Sequence, residues 1–388
     1  MKKVLLIGIG GVYNYGCEAI VRGTTAILKK YDPLIHIYYA SYNYKNDKKR
    51  LTDCDIIVIN RDRNKVCFFL KRVLKKIVSW IHITYSIPYD SFGWILKMSI
   101  DTVFSIGGDI YTLTADGKYN NVIPLFLENC ALHNIKYVLW GASIGPFIKN
   151  EEAFNYYREH LKKINLIVVR EKNTMQYLKN MGIADKVILA PDPAFFVQTA
   201  VSENNNSKQN LLGINVSPLS AIYEYGTLEK SLEVQRKAII HILLKTEYNI
   251  MLIPHVFSKN HLDNDLWYMM QLYETIPENY KDRISVFKED VGFLGIKRVL
   301  CQCKLVIAAR MHCAINAIEA NVPVLFLSYS EKSKGMANFV YNSTNAVMKL
   351  SEFCDNDSLI NRINNWDEKS AIESIKKYDF SLIFNIES

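Results

Sequence analysis

No run of about 18 apolar residues occurs anywhere in the chain, so no segment reads as a membrane-spanning helix. The opening Met1-Lys2-Lys3 and Val4 to Ile7 has the charge of a secretory leader but not its length, because glycines begin at Gly8. Without a leader, the eight cysteines are expected to be reduced and the protein cytoplasmic. Cys301-Gln302-Cys303 lacks a second cysteine pair at zinc spacing, so it reads as core packing and no metal is expected. A dinucleotide fingerprint is also missing. Gly8-Ile9-Gly10 begins one, but its sixth position is Tyr13, and no cofactor is expected. Lys and Arg number 47 against 39 Asp and Glu, a net charge of +8. That excess suits an anionic small substrate or membrane surface. No nucleic-acid-binding module accompanies it, so no nucleic-acid partner is expected.

What is present is enough apolar sequence for two cores: 49% of 388 residues. Apolar runs at Val4–Ile9, Ile35–Ala40, Ile56–Ile59, Thr102–Ile106, Tyr137–Trp140 and Leu166–Val169 alternate with helical patterns, the first from Glu18 to Lys30. Unbroken apolar runs mark strands buried on both faces, as in a parallel sheet between helix layers. A polar, Asn-rich stretch at 202–210 then interrupts the pattern. It resumes with Leu211–Val216, Ile250–Pro254, Ser285–Phe287, Leu305–Ala308 and Val324–Phe326. The expected architecture is α/β, with two Rossmann-like lobes at 1–201 and 211–388 and an active site in the cleft between them. The last segment, from about 357, is expected to pack back on the first lobe.

Small and polar residues gather where the strands end, which is the binding edge of an open α/β sheet. After the first strand come Asn14, Gly16 and Glu18; after later ones come Gly107-Gly108-Asp109, Ser143 and Arg170-Glu171. Glycines at a strand end admit a ligand close to the backbone, though they also simply make turns. Asp109 could accept a proton, or equally cap a helix. In the second half, Asn215 and Pro254-His255 end strands, with Asp263 and Asp265 close behind. Arg310-Met311-His312 stands between the strand ending at Ala308 and a helix with Ala314, Ala317 and Ile318 on its inner face. Arginine offers a planar fork for phosphate or carboxylate, and histidine exchanges protons near neutral pH. Ser328, Lys332 and Lys334 follow the next strand.

Taken in order, these pieces resemble the polysaccharide pyruvyl transferase family from about Lys3 to Val340. The matching segments are Asn14-Tyr15-Gly16 with Glu18-Ala19-Ile20, Gly107-Gly108, Gly141 to Pro146, Arg170-Glu171, Asp192-Pro193-Ala194-Phe195, Gly213-Ile214-Asn215, Pro254-His255, Arg310-Met311-His312 and Ser328-Tyr329-Ser330 with Lys332, Lys334 and Gly335. Two positions depart from the family pattern. Cys17 stands where Asp is usual, leaving Glu18 as the nearer acid, and Asp109 stands where a third glycine is common.

The resemblance implies a GT-B-like fold, phosphoenolpyruvate as donor, and a glycan or lipid-linked sugar as acceptor, with a pyruvate ketal as product on a bacterial cell-surface polysaccharide such as a capsule or exopolysaccharide. His312 is then the expected general acid/base and Arg310 the phosphate holder. Asp109 or Glu18 is expected to deprotonate the acceptor. Asn14, Gly16, Gly107, Gly108, Ser143, Arg170, Asn215, His255, Ser328, Lys332 and Lys334 are expected to bind substrate, with the first lobe on the acceptor side and the second holding the donor phosphate. Two other readings stand beside this one: a GT-B glycosyltransferase using a nucleotide sugar, and a non-catalytic glycan-binding or assembly protein. Finally, residues 61–94 interleave Arg and Lys with Phe68, Phe69, Val73, Leu74, Ile77 and Trp80 at helical spacing. That pattern suits peripheral contact with the inner face of the plasma membrane, or a helix packed on its own sheet with a basic outer face.

Overall fold

A computed structural model describes residues 2–61, 92–108, 110–114, 117–119, 122–198, 210–328, 331–366 and 370–385. The basic amphipathic stretch 62–91, Asp109 and the side chain of Lys332 lie outside the described residues.

Thirteen strands are described, in two sheets. The first sheet holds β1 (Lys3–Ile7), β2 (His36–Ser41), β3 (Ile57–Asn60), β4 (Thr102–Ile106), β5 (Lys136–Ala142), β6 (Leu166–Val169) and β7 (Val187–Leu189). Its order is β3-β2-β1-β4-β5-β6-β7 and every pairing is parallel. The second sheet holds β8 (Leu211–Asn215), β9 (Asn249–Leu252), β10 (Ile284–Val286), β11 (Leu305–Ala308), β12 (Val324–Ser328) and β13 (Val347–Lys349). Its order, β10-β9-β8-β11-β12-β13, is again all parallel. Each sheet therefore reverses its strand order once, between β1 and β4 and between β8 and β11. Such switch points are where doubly wound sheets leave a crevice at the strand ends.

The second sheet shows why its strands are unbroken apolar runs. Side chains alternate between faces along a strand. Val306, Ala308, Val324 and Phe326 enter one core, while Leu305, Ile307, Leu325 and Leu327 enter another. With helices on both faces, every position must be apolar. Gly213 in β8 is glycine because a Cβ there would lie 2.9 Å from Cys303 Sγ. Cys303 itself is fully buried in that core.

The two compact units do not follow the expected division at 201/211. The first comprises Met1–Gly11, Ile27–Ala190 and Phe380–Ser388, and the second Val12–Ala26 and Pro191–Asp379. The helix Tyr15–Tyr31 thus starts in the second unit, and its packing explains why. Tyr15 and Ala19 join the core that holds β11 and β12. A Cβ on Gly23 would collide with the backbone carbonyl of Pro193, so glycine there lets the helix lie against the short 3₁₀ turn Pro193–Phe196. The return of the chain to the first unit is confined to its last residues rather than beginning near 357. Phe384 stacks on Trp140 at 5.9 Å and Phe380 packs tilted against it at 5.6 Å, and Phe384 also meets Tyr31 at 4.6 Å. Among the described residues, no helix is long and apolar enough to cross a membrane.

Candidate functional site

In the second unit, most of the expected site residues converge on the carboxyl ends of β8 and β11. Arg310 and His312 owe their placement to the end of β11 and the start of the helix Met311–Glu319, for which Arg310 is the N-cap. The Arg310 backbone N–H donates to Asn215 Oδ1 at 2.9 Å, tying the junction to the end of β8. Asn215 is itself buried, and its Nδ2 donates to the Ile253 carbonyl at 2.9 Å.

The Arg310 guanidinium is held by two carboxylates. Nη2 donates to Asp265 Oδ1 at 2.8 Å and Asp263 Oδ1 at 3.0 Å, and Nε reaches Asp265 Oδ1 at 3.2 Å. Asp265 is the first residue of a helix capped by the Asn264 side chain, which accepts from Trp267 N at 2.9 Å. It is fully buried, and its Oδ2 accepts from the His255 backbone N–H at 3.1 Å. Burial opposes the Arg310 charge, but Asp265 and then Asp263 outweigh it and hold the guanidinium above its ordinary value. Burial also drives the Asp265 carboxyl upward, against the pull of Arg310. Among the described residues, Arg310 Nη1 makes no hydrogen bond.

His312 lies against Gly16. A Cβ on Gly16 would strike the imidazole at Nδ1, so only glycine leaves the ring its place. Gly16 N donates to Asn14 Oδ1 at 2.9 Å, and Asn14 is bridged to Val256, which fixes the start of the Tyr15–Tyr31 helix beside His255. On the far edge of the His312 ring, Nε2 is buried and 3.5 Å from Asp192 Oδ2. His255 is buried with neither ring nitrogen hydrogen-bonded among the described residues, and its ring meets Tyr15 edge-on at 5.6 Å. Glu18, expected as a possible base, is enclosed: Oε1 accepts from Arg22 Nε and Oε2 from the Phe293 backbone N–H, each at 2.9 Å. The second bond caps the helix Gly292–Leu300. Ser328 is buried at the end of β12, and Lys334 is half-buried on the helix Glu331–Tyr341.

The first unit carries a separate cluster at the ends of β4, β5 and β6. Buried Arg170 donates from Nε and Nη2 to Ser143 Oγ at 3.2 and 3.1 Å. Ser143 N donates to the Gly108 carbonyl at 2.8 Å. A Cβ on Gly108 would strike the Arg170 guanidinium, and Gly107 takes a φ of 121°, open to glycine. Glu171 accepts from Thr174 Oγ1 at 2.9 Å at the start of the next helix, a structural engagement.

Burial pushes the His255 imidazole down to about 3, with His312 and Arg310 adding to the effect. The unfolded chain protonates this group near its ordinary value of about 6.5. Below that value the unfolded state binds more protons, so the stability linked to His255 is complete above it and falls as pH drops toward the folded value, by up to about 1.4 kcal/mol per pH unit. His160 in the first unit is likewise pushed down to about 3 by burial, so the test is a difference. Urea unfolding at pH 7 and pH 5 will show a smaller acid loss for His255→Gln than for wild type. Equal losses would mean that His255 takes up its proton within the fold.

The partners of these residues were not legible locally. Asp192 stood out in sequence only as the head of Asp192-Pro193-Ala194-Phe195; its approach to His312 joins segments far apart in the chain. Asp263 and Asp265 were visible near His255, but not as the holders of Arg310.

Comparison with known proteins agrees with the motif series. The sequence model described as polysaccharide pyruvyl transferase matches residues 14–331. The amylovoran biosynthesis protein AmsJ of Erwinia amylovora is 26% identical over 366 residues, spanning 86% of this chain and 85% of AmsJ. Among solved structures, UDP-GlcNAc 2-epimerase from Methanocaldococcus jannaschii is similar with a TM-score of 0.57 at 15% identity, over 95% of this chain and 94% of that one. The Neisseria meningitidis epimerase bound to UDP-GlcNAc gives 0.59 at 11% identity, covering all of both chains. A glycosyltransferase from Rickettsia africae gives 0.53 at 14%, over 100% of this chain and 97% of that one. At such identities the likeness is one of fold, the GT-B-like pairing of two parallel-sheet α/β units. With its ordered motifs and a match across most of its length, the chain belongs to the polysaccharide pyruvyl transferase family.

Proposed function

We propose that this protein transfers pyruvate from phosphoenolpyruvate to a sugar of a cell-surface polysaccharide or its lipid-linked precursor, forming a pyruvate ketal. One observation supports the reading: in a chain of this family, Arg310 and His312, a cation and a proton carrier, stand together at the β8/β11 switch point. The amylovoran biosynthesis role in the name of AmsJ supports a polysaccharide acceptor.

In the proposed reaction His312 gives a proton to C3 of phosphoenolpyruvate, making C2 electrophilic. A sugar hydroxyl adds to C2, and its proton returns to His312. The C2–O bond to phosphate then breaks. The second hydroxyl closes the ketal, and its proton leaves with the phosphate. One phosphoenolpyruvate and one diol thus give one ketal and one hydrogen phosphate. Arg310, its fork fixed by Asp263 and Asp265, meets the departing phosphate through Nη1, with Lys334 as a further cation. Buried on two partners, Glu18 is better suited to hold the Tyr15–Tyr31 helix than to act as base. Arg170, Ser143 and the Gly107-Gly108 turn are assigned to the acceptor.

Titration with phosphoenolpyruvate should show saturable binding by wild type and weaker binding by Arg310→Lys, which keeps the charge but loses the fork. Phosphate release should require an added glycan acceptor. Binding of a nucleotide sugar with indifference to phosphoenolpyruvate would replace this reading with a glycosyltransferase. Glycan binding without phosphate release would make the chain a binding protein.

A further inference from the structure

We infer that Asp192 is the positioning residue of His312 and that Nδ1 is the nitrogen of His312 that carries the transferred proton. This inference rests on the acid–base assignment of His312 above. The two ring nitrogens are not in equivalent surroundings. Nε2 is buried, and the polar atom it faces is Asp192 Oδ2 at 3.5 Å. Nδ1 has no protein hydrogen bond among the described residues and is not sealed off, in a side chain that remains 17% exposed. Asp192 itself is completely buried, and its Oδ1 is fixed by accepting from Ala194 N at 2.9 Å in the turn that lies against Gly23. A buried carboxylate beside one nitrogen keeps the proton there and stabilises the imidazolium when the other nitrogen picks one up. Nδ1, beside the bare Cα of Gly16, is then the nitrogen left with a lone pair. Gly16 completes the device: the ring seats against a bare Cα, and any side chain at position 16 would push Nδ1 off its line.

Asparagine at 192 separates this role from a structural one. Its Oδ1 can still accept from Ala194 N, so the turn is kept, while its amide N–H would face Nε2 and favour the opposite tautomer. Two measurements are needed. The first is the ¹⁵N and ¹H NMR of His312 in the ligand-free protein. Wild type should show the proton on Nε2 in the neutral form, and Asp192→Asn should move it to Nδ1. The second is the pH–rate profile for phosphate release from phosphoenolpyruvate. Asp192→Asn should lower kcat by about 10²–10⁴-fold, with little change in KM. Asp192→Glu should recover part of the rate.

A neutral wild-type ring protonated on Nδ1, or an Asp192→Asn enzyme whose tautomer and kcat match wild type, would overturn the inference. If the protein proves inactive on phosphoenolpyruvate yet shows the tautomer change, the pairing stands and the reaction assignment falls.

Discussion

Glutamine at position 312 will lower kcat by about 10²–10⁴-fold, the range that a positioned acid–base group contributes. Glutamine is close to histidine in size and can hydrogen-bond, but it cannot carry a proton between the hydroxyl and C3. The substitution falls at the second residue of the Met311–Glu319 helix, whose N-cap is Arg310, so the helix start is untouched. It adds no bulk against Gly16. Phosphate release from phosphoenolpyruvate and the KM for that donor should be measured together. Loss confined to kcat marks a group used in the transition state, whereas a rise in KM alone would mark a binding group. Near-normal turnover in a folded His312→Gln protein would remove His312 from the mechanism.

Alanine at position 310 will destabilise the second unit by about 3–5 kcal/mol, beyond any effect on binding. The cause is not the loss of a favourable surface pair. Asp265 is fully buried, and removing the guanidinium leaves its carboxylate without its countercharge. The backbone N–H of residue 310 still donates to Asn215, so the strand–helix junction itself survives. Neutralising the stranded group should therefore restore much of the loss. Arg310→Ala with Asp265→Asn will be more stable than Arg310→Ala alone, and the coupling can be read from a double-mutant cycle in urea. Strict additivity of the two substitutions would show that Arg310 and Asp265 do not interact. In the double variant, phosphoenolpyruvate binding should remain weak although the fold has recovered, because Nη1 is gone. Stability and recognition are thus separable at one residue.

Strand identity was legible wherever burial is two-sided. The apolar runs Thr102–Ile106, Leu166–Val169 and Leu305–Ala308 coincide with β4, β6 and β11 residue for residue. Two strands were not read from the sequence. β7 and β13 are three residues each, Val187–Leu189 and Val347–Lys349, too short for a run to stand out from its surroundings. Arg310 and His312 were legible because their position depends on a local event, the end of a strand and the start of a helix. The expected base Glu18 shows the limit of that kind of reading. An acid near a Gly-rich turn looks available until the chain brings Arg22 and the Phe293 N–H to it.

Amino-acid order alone determined the two parallel sheets, the polar residues at their strand ends and the family, because each follows from periodicity or from motifs a few residues long. Tertiary structure alone decided which groups neutralise Arg310, which carboxylate faces His312, and that the helix after β1 begins in the second unit. Those outcomes depend on atoms brought within a few ångströms from segments far apart in the chain, held by close backbone packing at Gly16 and Gly23, and no local pattern records such distances.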